Sequence, residues 1–251
     1  MPKKFSKTKF LYRALKYRFV EDKAELDYIT QSVNPGDFVL DIGAHKGGYL
    51  HWLRKSVGDQ GQIVAFEPQP SLYNYIKEAI AAYGYQNITL HHAGVSSQKG
   101  KLNLFIPKAE GLTSPGATFE DRPHVEGGHS IEVPVLQIDE VLEGRSEKVS
   151  LIKIDVEGHE LEVFKGAEAL LKTDQPKLIF ECENRHLNHM KVEDVFNYLK
   201  QLNYKGYFFN KGKRVAIEEF DANQHQAIDE GKEIINKKAY CNNFVFEPTS
   251  S

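Results

Sequence analysis

Residues 38–48 restrict the fold class more than any other part of the chain, because an apolar segment there runs directly into a glycine-rich turn. The apolar segment, residues 38–42, is β-prone and is interrupted only by Asp41. This pattern is typical of a strand buried on both faces of a parallel sheet. A helical pattern follows the glycines, so the sequence indicates an α/β fold. In such folds ligands bind beyond the carboxyl ends of the strands.

The glycine spacing in this turn argues against a dinucleotide. Gly43, Gly47 and Gly48 follow a G-x-x-x-G-G pattern, which differs from the G-x-G-x-x-G turn that holds a dinucleotide pyrophosphate. Asp41 would repel a diphosphate, but it can accept the ammonium end of an amino-acid-like ligand. S-adenosylmethionine (SAM) carries such an ammonium. The alternative is a structural turn in which Asp41 only caps backbone N–H groups.

A second acidic residue, Glu67, ends the next predicted strand, residues 62–68, where Pro68 stops it. Glu67 lies 24 residues after Gly43. This is close to the roughly 20 residues expected for a carboxylate that accepts hydrogen bonds from ribose hydroxyls in a βαβ nucleoside site. The sequence therefore predicts a ribose contact at Glu67, unless this acid only caps the following helix.

The most charged predicted strand is residues 150–156. Strand alternation places Lys153 and Asp155 on one face, and burying such charges is costly unless they are paired or used in function. Glu157 and His159 follow in the turn around Gly158, and a helical pattern comes next. We therefore predict a functional carboxylate cluster at this strand-to-helix connection.

Neighbouring acids allow a metal-dependent variant of this site, which we do not favour. Asp155, with Glu183 and Asn184 at the end of the next predicted strand (176–184), offers the oxygen ligands that Mg²⁺ prefers. Pairing of Lys153 with a neighbouring glutamate explains the same acids without a metal. His91 and His92, adjacent on a predicted strand (88–95), point to opposite faces and are expected to pack rather than bind a metal.

The rest of the chain predicts one sheet with additions. Residues 206–209 and 243–246 complete a seven-stranded sheet with an antiparallel last strand, separated by an exposed polar segment. Residues 101–107 and 131–135 form an added hairpin after the third strand, and loop 108–130 is irregular enough to be a lid or a disordered segment. His186 and His189 are expected on the surface.

Charge and composition exclude several classes of function. The 251 residues carry a net charge of −3, so nucleic acid is not an expected partner. Two cysteines without metal-ligand spacing favour a reducing compartment. No apolar run is long enough to span a membrane or to form the core of a signal peptide. We therefore expect a cytoplasmic protein. Residues 3–18 hold seven Lys or Arg and no acid, with apolar residues at helical intervals. We expect residues 1–34 to form an N-terminal helical extension of a domain at 35–251, and homo-oligomers are compatible with this composition.

Several motifs together resemble the FkbM family of class I SAM-dependent methyltransferases. The motifs are V39-L-D-I-G-A44, A65-F-E-P68, G94-V-S96, V135-L-Q-I-D139 and K153-I-D-V-E-G-H-E160, and the resemblance covers roughly residues 36–185. It implies a Rossmann-like α/β fold with a seven-stranded, mostly parallel sheet flanked by helices. It also implies methyl transfer from SAM to a hydroxyl of a small molecule or sugar. His45 and Gln137 depart from the residues that are usual in the family.

The resemblance also assigns roles. It places Asp41, Gly43 and Ala44 around the methionine end of SAM, near His45 and Gly47. It places Glu67 and Pro68 at the ribose, and Ala93 and Gly94 at the adenine. For the chemistry, an alcohol must lose a proton during in-line displacement. We expect Asp155, Glu157 or His159 to accept that proton, with Lys153 positioning the carboxylates.

Two other function classes remain open at this stage. One is a non-catalytic module that binds a nucleoside ligand, and the other is an NAD-dependent oxidoreductase. A nucleic-acid methyltransferase would be supported only by the basic N-terminus. The sequence does not identify the acceptor.

Overall fold

A computed structural model describes residues 5–108, 116–120, 127–231 and 233–249. The helices of this part are α1 Lys7–Lys16, α2 Lys23–Ser32, α3 Gly48–Val57, α4 Pro70–Tyr83, α5 Ile138–Val141, α6 Glu160–Lys165, α7 Glu168–Thr173, α8 Val192–Gln201 and α9 Ala222–His225. A π-helical turn, Tyr17–Glu21, joins α1 to α2, and a 3-10 turn spans Ile217–Glu219. The strands are β1 Phe38–Ile42, β2 Gln62–Phe66, β3 Ile88–His91, β4 Gly94–Val95, β5 Gly100–Pro107, β6 Gly128–Leu136, β7 Val149–Ile154, β8 Lys177–Glu181, β9 Tyr204–Asn210, β10 Lys213–Ala216 and β11 Asn243–Pro248. No helix in this described part is both long and apolar enough to cross a membrane.

The main sheet has the strand order β10-β9-β11-β8-β7-β1-β2-β3. Strand β1 runs parallel to both β2 and β7, while β11 runs antiparallel to β8 and β9. All five residues of β1 are buried. The prediction of a Rossmann-like, mostly parallel α/β sheet with an antiparallel last strand is confirmed.

The predicted count of seven strands is wrong, because the main sheet has eight strands among the described residues. The additional strand is β10, which pairs with β9 across a two-residue turn formed by Lys211 and Gly212. Both residues have positive φ, 51° and 74°, as in the tight hairpin turns whose twist matches that of a sheet. Strand β10 lies at the sheet edge, where charged residues such as Lys213 and Arg214 are common. These residues remove the apolar pattern by which a strand is recognised in a sequence.

The predicted hairpin is present as β5 and β6, which pair antiparallel from Gly100 to Pro107. The short strand β4 adds to it in parallel with β6, so the predicted strand 88–95 is divided between two sheets. Of the predicted loop 108–130, residues 109–115 and 121–126 lie outside the described part of the chain.

Helices cover both faces of the main sheet and form two apolar cores. Leu40, Phe66 and Ile152 point into the core beneath α6, α7 and α8. Val39 and Leu151 point into the opposite core, where α2 contributes Leu26 and its neighbours and α3 contributes Leu53. Because the central strands are packed on both sides, the polar groups at their carboxyl ends are held at fixed positions.

Candidate active site

A cavity of about 270 Å³ lies at the carboxyl ends of β1, β2, β7 and β8. It is bounded by the loops that follow these strands, by the residues after β3 and by the N-terminal segment. The predicted site residues in its lining are Gly43, Ala44, His45, Glu67, Pro68, Ala93, Gly94, Lys153, Asp155 and Glu157. Most of the residues predicted from the sequence at the β1, β2, β3 and β7 connections therefore lie around one cavity.

The turn after β1 is folded tightly against its neighbours. Gly43 and Ala44 both donate from their backbone N–H groups to the carbonyl oxygen of Phe66, at 3.0 Å. Gly43 has φ +77°, and a Cβ there would lie 1.9 Å from the carbonyl oxygen of Asp155. Only glycine fits where the turns after β1 and β7 meet. Gly47, which also has positive φ, lies against Phe10 of α1 rather than in the cavity lining.

Glu67 is held in place by two backbone donors. Its Oε2 accepts from the N–H of His45 and its Oε1 accepts from the N–H of Gln69, both at 2.8 Å. Burial raises the pKa of Glu67 to about 8, although both donors oppose this shift. Each carboxylate oxygen retains a further lone pair, so the residue can still accept hydrogen bonds from a ligand. Burial also lowers the pKa of His45 to about 3, which keeps its imidazole neutral.

A buried lysine connects the turns after β1 and β7. The Lys153 ammonium donates to the carbonyl oxygen of Gly43 at 2.8 Å and lies 3.4 Å from Asp41 and 3.8 Å from Asp155. The Asp41 side chain is fully buried and does not line the cavity, so Lys153 separates it from the space that a ligand could occupy. Burial lowers the pKa of Lys153, but the two carboxylates outweigh this effect and raise it.

Asp155 is the most accessible acid of this cluster, with one third of its side chain exposed. The predicted strand 150–156 ends at Ile154, so Asp155 begins the loop, and its N–H still donates to Ile42 at 3.0 Å. Burial raises the pKa of Asp155 to about 6, against the opposing effect of Lys153. At neutral pH the side chain is thus a carboxylate that faces the cavity and can accept a proton.

The other two candidate bases are held by partners. The Glu157 carboxylate lies 2.7 Å from the Nδ1 of His186, and its backbone has φ +56°. The expectation that His186 is a surface residue is therefore wrong, because it packs under the turn at Gly158, where a Cβ would lie 2.5 Å from its carbonyl oxygen. His159 lies outside the cavity lining and shares a hydrogen bond of 3.0 Å with Ser96.

Two of the three residues of the metal alternative, Glu183 and Asn184, are used in hydrogen bonds. The Glu183 carboxylate accepts from Arg185, Tyr240 and Asn242, and the side-chain oxygen of Asn184 accepts from the N–H of Val192. Neither Glu183 nor Asn184 lines the cavity. Among the residues that the structure describes, no three His, Cys, Asp or Glu side chains are grouped to bind a metal ion. His91 and His92 stack on aromatic rings.

The cavity residues that were not predicted as part of the site include Tyr17, Asp22, Glu181 and Asn243. Glu181 could have been predicted from the sequence, because it is an acid at the end of β8, as Glu67 is directly after β2. Burial raises the pKa of Glu181, and the nearby Asp155 carboxylate raises it further. Tyr17 and Asp22 carried no signal, because only the packing of the N-terminal segment on α3 brings them to the cavity.

Comparisons with known proteins agree with this geometry. Residues 41–206 match a family model described as the methyltransferase FkbM domain. The hexuronic acid methyltransferase AglP of Haloferax volcanii is 28% identical over 162 residues, which cover 62% of this chain and 62% of that protein. Methyltransferase 1 of Beauveria bassiana is 24% identical over 146 residues, which cover 52% of this chain and 58% of that protein. The chain therefore spans about 60% of the length of these curated relatives.

The fold is shared with a solved FkbM methyltransferase from Methylobacillus flagellatus. That structure superimposes with a TM-score of 0.53 at 16% identity and covers 94% of this chain and 53% of its own chain. Since the family model matches well over half of the sequence, and covers the turns after β1, β2 and β7, this chain belongs to the FkbM methyltransferase family.

Proposed function

We propose that this chain is a SAM-dependent O-methyltransferase that methylates a hydroxyl group of a small molecule or sugar. One observation carries the proposal: a single cavity combines a tight glycine turn, the buried carboxylate of Glu67 and the partly exposed carboxylate of Asp155. The first two features suit a nucleoside with an amino-acid tail, and the third suits proton removal from an alcohol.

The cavity residues fit SAM. Glu67 would accept hydrogen bonds from the ribose hydroxyls, and the backbone from Gly43 to His45 would hold the methionine end. Ala93 and Gly94 would lie at the adenine, beside the ring of Phe119, which packs so close to Gly94 that a Cβ there would be 2.5 Å away. When bound, SAM supplies an electrophilic methyl group on a positively charged sulfur. The carboxylates of the lining favour this charge.

We assign proton removal to Asp155. Lys153 holds its carboxylate near the ends of β1 and β7, and with a pKa of about 6 it is ionised at neutral pH. A general base of this kind contributes about 10²- to 10⁴-fold to a rate. We therefore expect Asp155→Asn to lower the methylation rate at least about 100-fold while changing the affinity for S-adenosylhomocysteine (SAH) less than about threefold. Methylation at the wild-type rate would exclude Asp155 as the base.

The charge of the cavity limits the acceptor. Around Asp155 the lining also contains Asp22 and Glu157, and Lys153 is already paired with two carboxylates. An acceptor that carries its own carboxylate would be repelled there. We therefore propose a neutral or amino-bearing acceptor, in contrast to the acid named for AglP. Parallel assays with neutral hexosides, amino sugars and hexuronic acids test this, and a preference for the acids would contradict it.

The proposed cofactor is tested by calorimetric titration with SAH. We expect binding by wild-type protein at about pH 9, where Glu67 is ionised, and about 10- to 100-fold weaker binding by Glu67→Gln, which loses hydrogen bonds to a charged acceptor. Glu132→Gln is the matched control, because Glu132 is exposed on β6 and pairs only with Lys101 among the described contacts. Binding of NAD instead of SAH would favour the oxidoreductase alternative, and SAH binding without turnover of any acceptor would favour a binding module.

We also propose a reducing compartment, the cytoplasm, for this protein. Cys182 and Cys241 are both buried and neither forms a disulfide. Proteins of oxidising compartments use such pairs of cysteines more often as cross-links.

A further inference from the structure

The N-terminal segment, defined here as residues 5–21, has apolar side chains on both of its faces. Its inner face packs on the domain: Phe10 lies against the rings of His51 and Tyr83, and Trp52 donates to the carbonyl oxygen of Ala14 at 2.8 Å. An amphipathic helix that is anchored in this way normally has a polar outer face. This segment does not.

The outer face holds nearly all of the large apolar side chains that are exposed in the described residues. They are Leu11, Tyr12, Leu15, Phe19 and Val20, with exposed fractions of 39%, 68%, 40%, 62% and 72%, and the sixth such residue is Ile235 at 67%. The first four follow the i, i+1, i+4, i+8 spacing that places side chains on one side of a helix. A cluster of exposed apolar side chains on one side of a helix is typical of a docking surface.

The charges around this patch indicate its partner. Lys7, Lys9 and Lys16 are exposed beside the patch, and residues 5–20 contain no acid, although the whole chain has a net charge of −3. Lys16 pairs with Glu21, and Arg18 pairs with Asp27, so the positive charge is only partly neutralised. Aromatic and aliphatic side chains flanked by lysines fit the boundary between anionic lipid headgroups and acyl chains.

We propose that the outer face of residues 5–21 docks on the surface of an anionic membrane, lying in its plane without crossing it. The segment is held in one orientation by its inner face, so docking requires no refolding of the domain. Tyr17 and Asp22 line the cavity, which places the site within one helical turn of the docked surface. The acceptor would then be methylated close to the membrane. The docking itself does not depend on the proposed methyl transfer.

Vesicle co-sedimentation of the full chain tests this proposal. We expect wild-type protein to sediment with vesicles of phosphatidylcholine mixed with phosphatidylglycerol, more weakly with phosphatidylcholine alone, and more weakly in high salt. Tyr12→Ser/Val20→Ser should weaken binding to the mixed vesicles about tenfold, because these two side chains are the most exposed of the patch. Ile235→Ser is the matched control, since it removes an equally exposed apolar side chain outside the segment and should bind as wild type.

Two further measurements separate docking from other causes. Thermal unfolding of each variant verifies that the domain is intact, because these exposed substitutions should leave the melting temperature within a few degrees of wild type. Light scattering reports the oligomeric state. A wild-type dimer that becomes monomeric in Tyr12→Ser/Val20→Ser would show that a second copy covers the patch and would overturn the membrane assignment. Failure of wild-type protein to bind anionic vesicles, or equal binding by the double variant, would overturn it as well.

Discussion

Substitution of Lys153 by methionine should destabilise the protein far more than substitution of its partner. Among the described residues, Lys153 is the only cation within 4 Å of Asp41. Lys153→Met therefore leaves the Asp41 carboxylate fully buried and unpaired. It also removes the hydrogen bond to Gly43 and the contact with Asp155. Breaking a buried pair in this way costs about 3–5 kcal/mol. Asp41→Asn leaves Lys153 with its other two oxygen contacts and should cost about 1–2 kcal/mol.

Urea unfolding of both single variants and of Asp41→Asn/Lys153→Met measures these costs. The double variant has no unpaired buried carboxylate at position 41, so it should be more stable than Lys153→Met, with a coupling free energy of about 2 kcal/mol. Burial raises the pKa of Asp41, and Lys153 opposes this shift in the wild type. In Lys153→Met the folded-state pKa therefore rises further above the unfolded value, and the folded state binds more protons than the unfolded state. The deficit in stability should shrink as the pH falls through the raised folded-state pKa of Asp41. Additive costs, or a deficit independent of pH, would refute the pairing.

Three further predictions concern the cavity. SAH affinity measured by calorimetry should increase about fivefold from about pH 7 to about pH 9, because burial raises the pKa of Glu67 to about 8 and ribose hydroxyls donate to its ionised form; Glu67→Gln should remove this dependence. Gly43→Ala should lower the free energy of unfolding in urea by about 3 kcal/mol and abolish SAH binding. Gly84 has a similar positive φ but no heavy atom within 4 Å of its Cβ position, so Gly84→Ala should cost only about 1 kcal/mol. Equal costs would contradict the steric argument. Chelation by EDTA should leave SAH binding and methylation unchanged, because the Glu183 oxygens already accept hydrogen bonds from other side chains. Activity that is lost in EDTA and restored by Mg²⁺ would instead show that the enzyme depends on a metal ion.

The central strands were predictable because burial on both faces leaves a strong pattern. Strands β1, β2, β7 and β8 are short apolar runs whose polar residues mark where they end, and the structure preserves the predicted ends within three residues. Strand β10 was missed for a physical reason. An edge strand needs no apolar face, and its turn uses Lys211 where a hairpin signal usually has asparagine or aspartate.

The residues of the candidate site differ in the same way in how far the sequence predicts them. Residues that end strands, such as Glu67 and Asp155, were identified because a polar group directly after an apolar run stands out. Residues that depend on packing between distant segments were not. His186 reaches Glu157 only because the loop after β8 folds under the turn at Gly158, and no local pattern around His186 indicates that contact.

The N-terminal segment and the cavity are connected through the glycine turn. The ring of Tyr17 lies against Gly48, where a Cβ would be 2.3 Å away, so the first residue of α3 must be small for the segment to approach. The π-helical turn then ends with the N–H of Asp22 donating to the carbonyl oxygen of Tyr17 at 2.8 Å, which brings both residues to the cavity wall. The same turn leaves Phe19 and Val20 exposed on the other side. One short turn therefore contributes both to the exposed outer face and to the wall of the cavity.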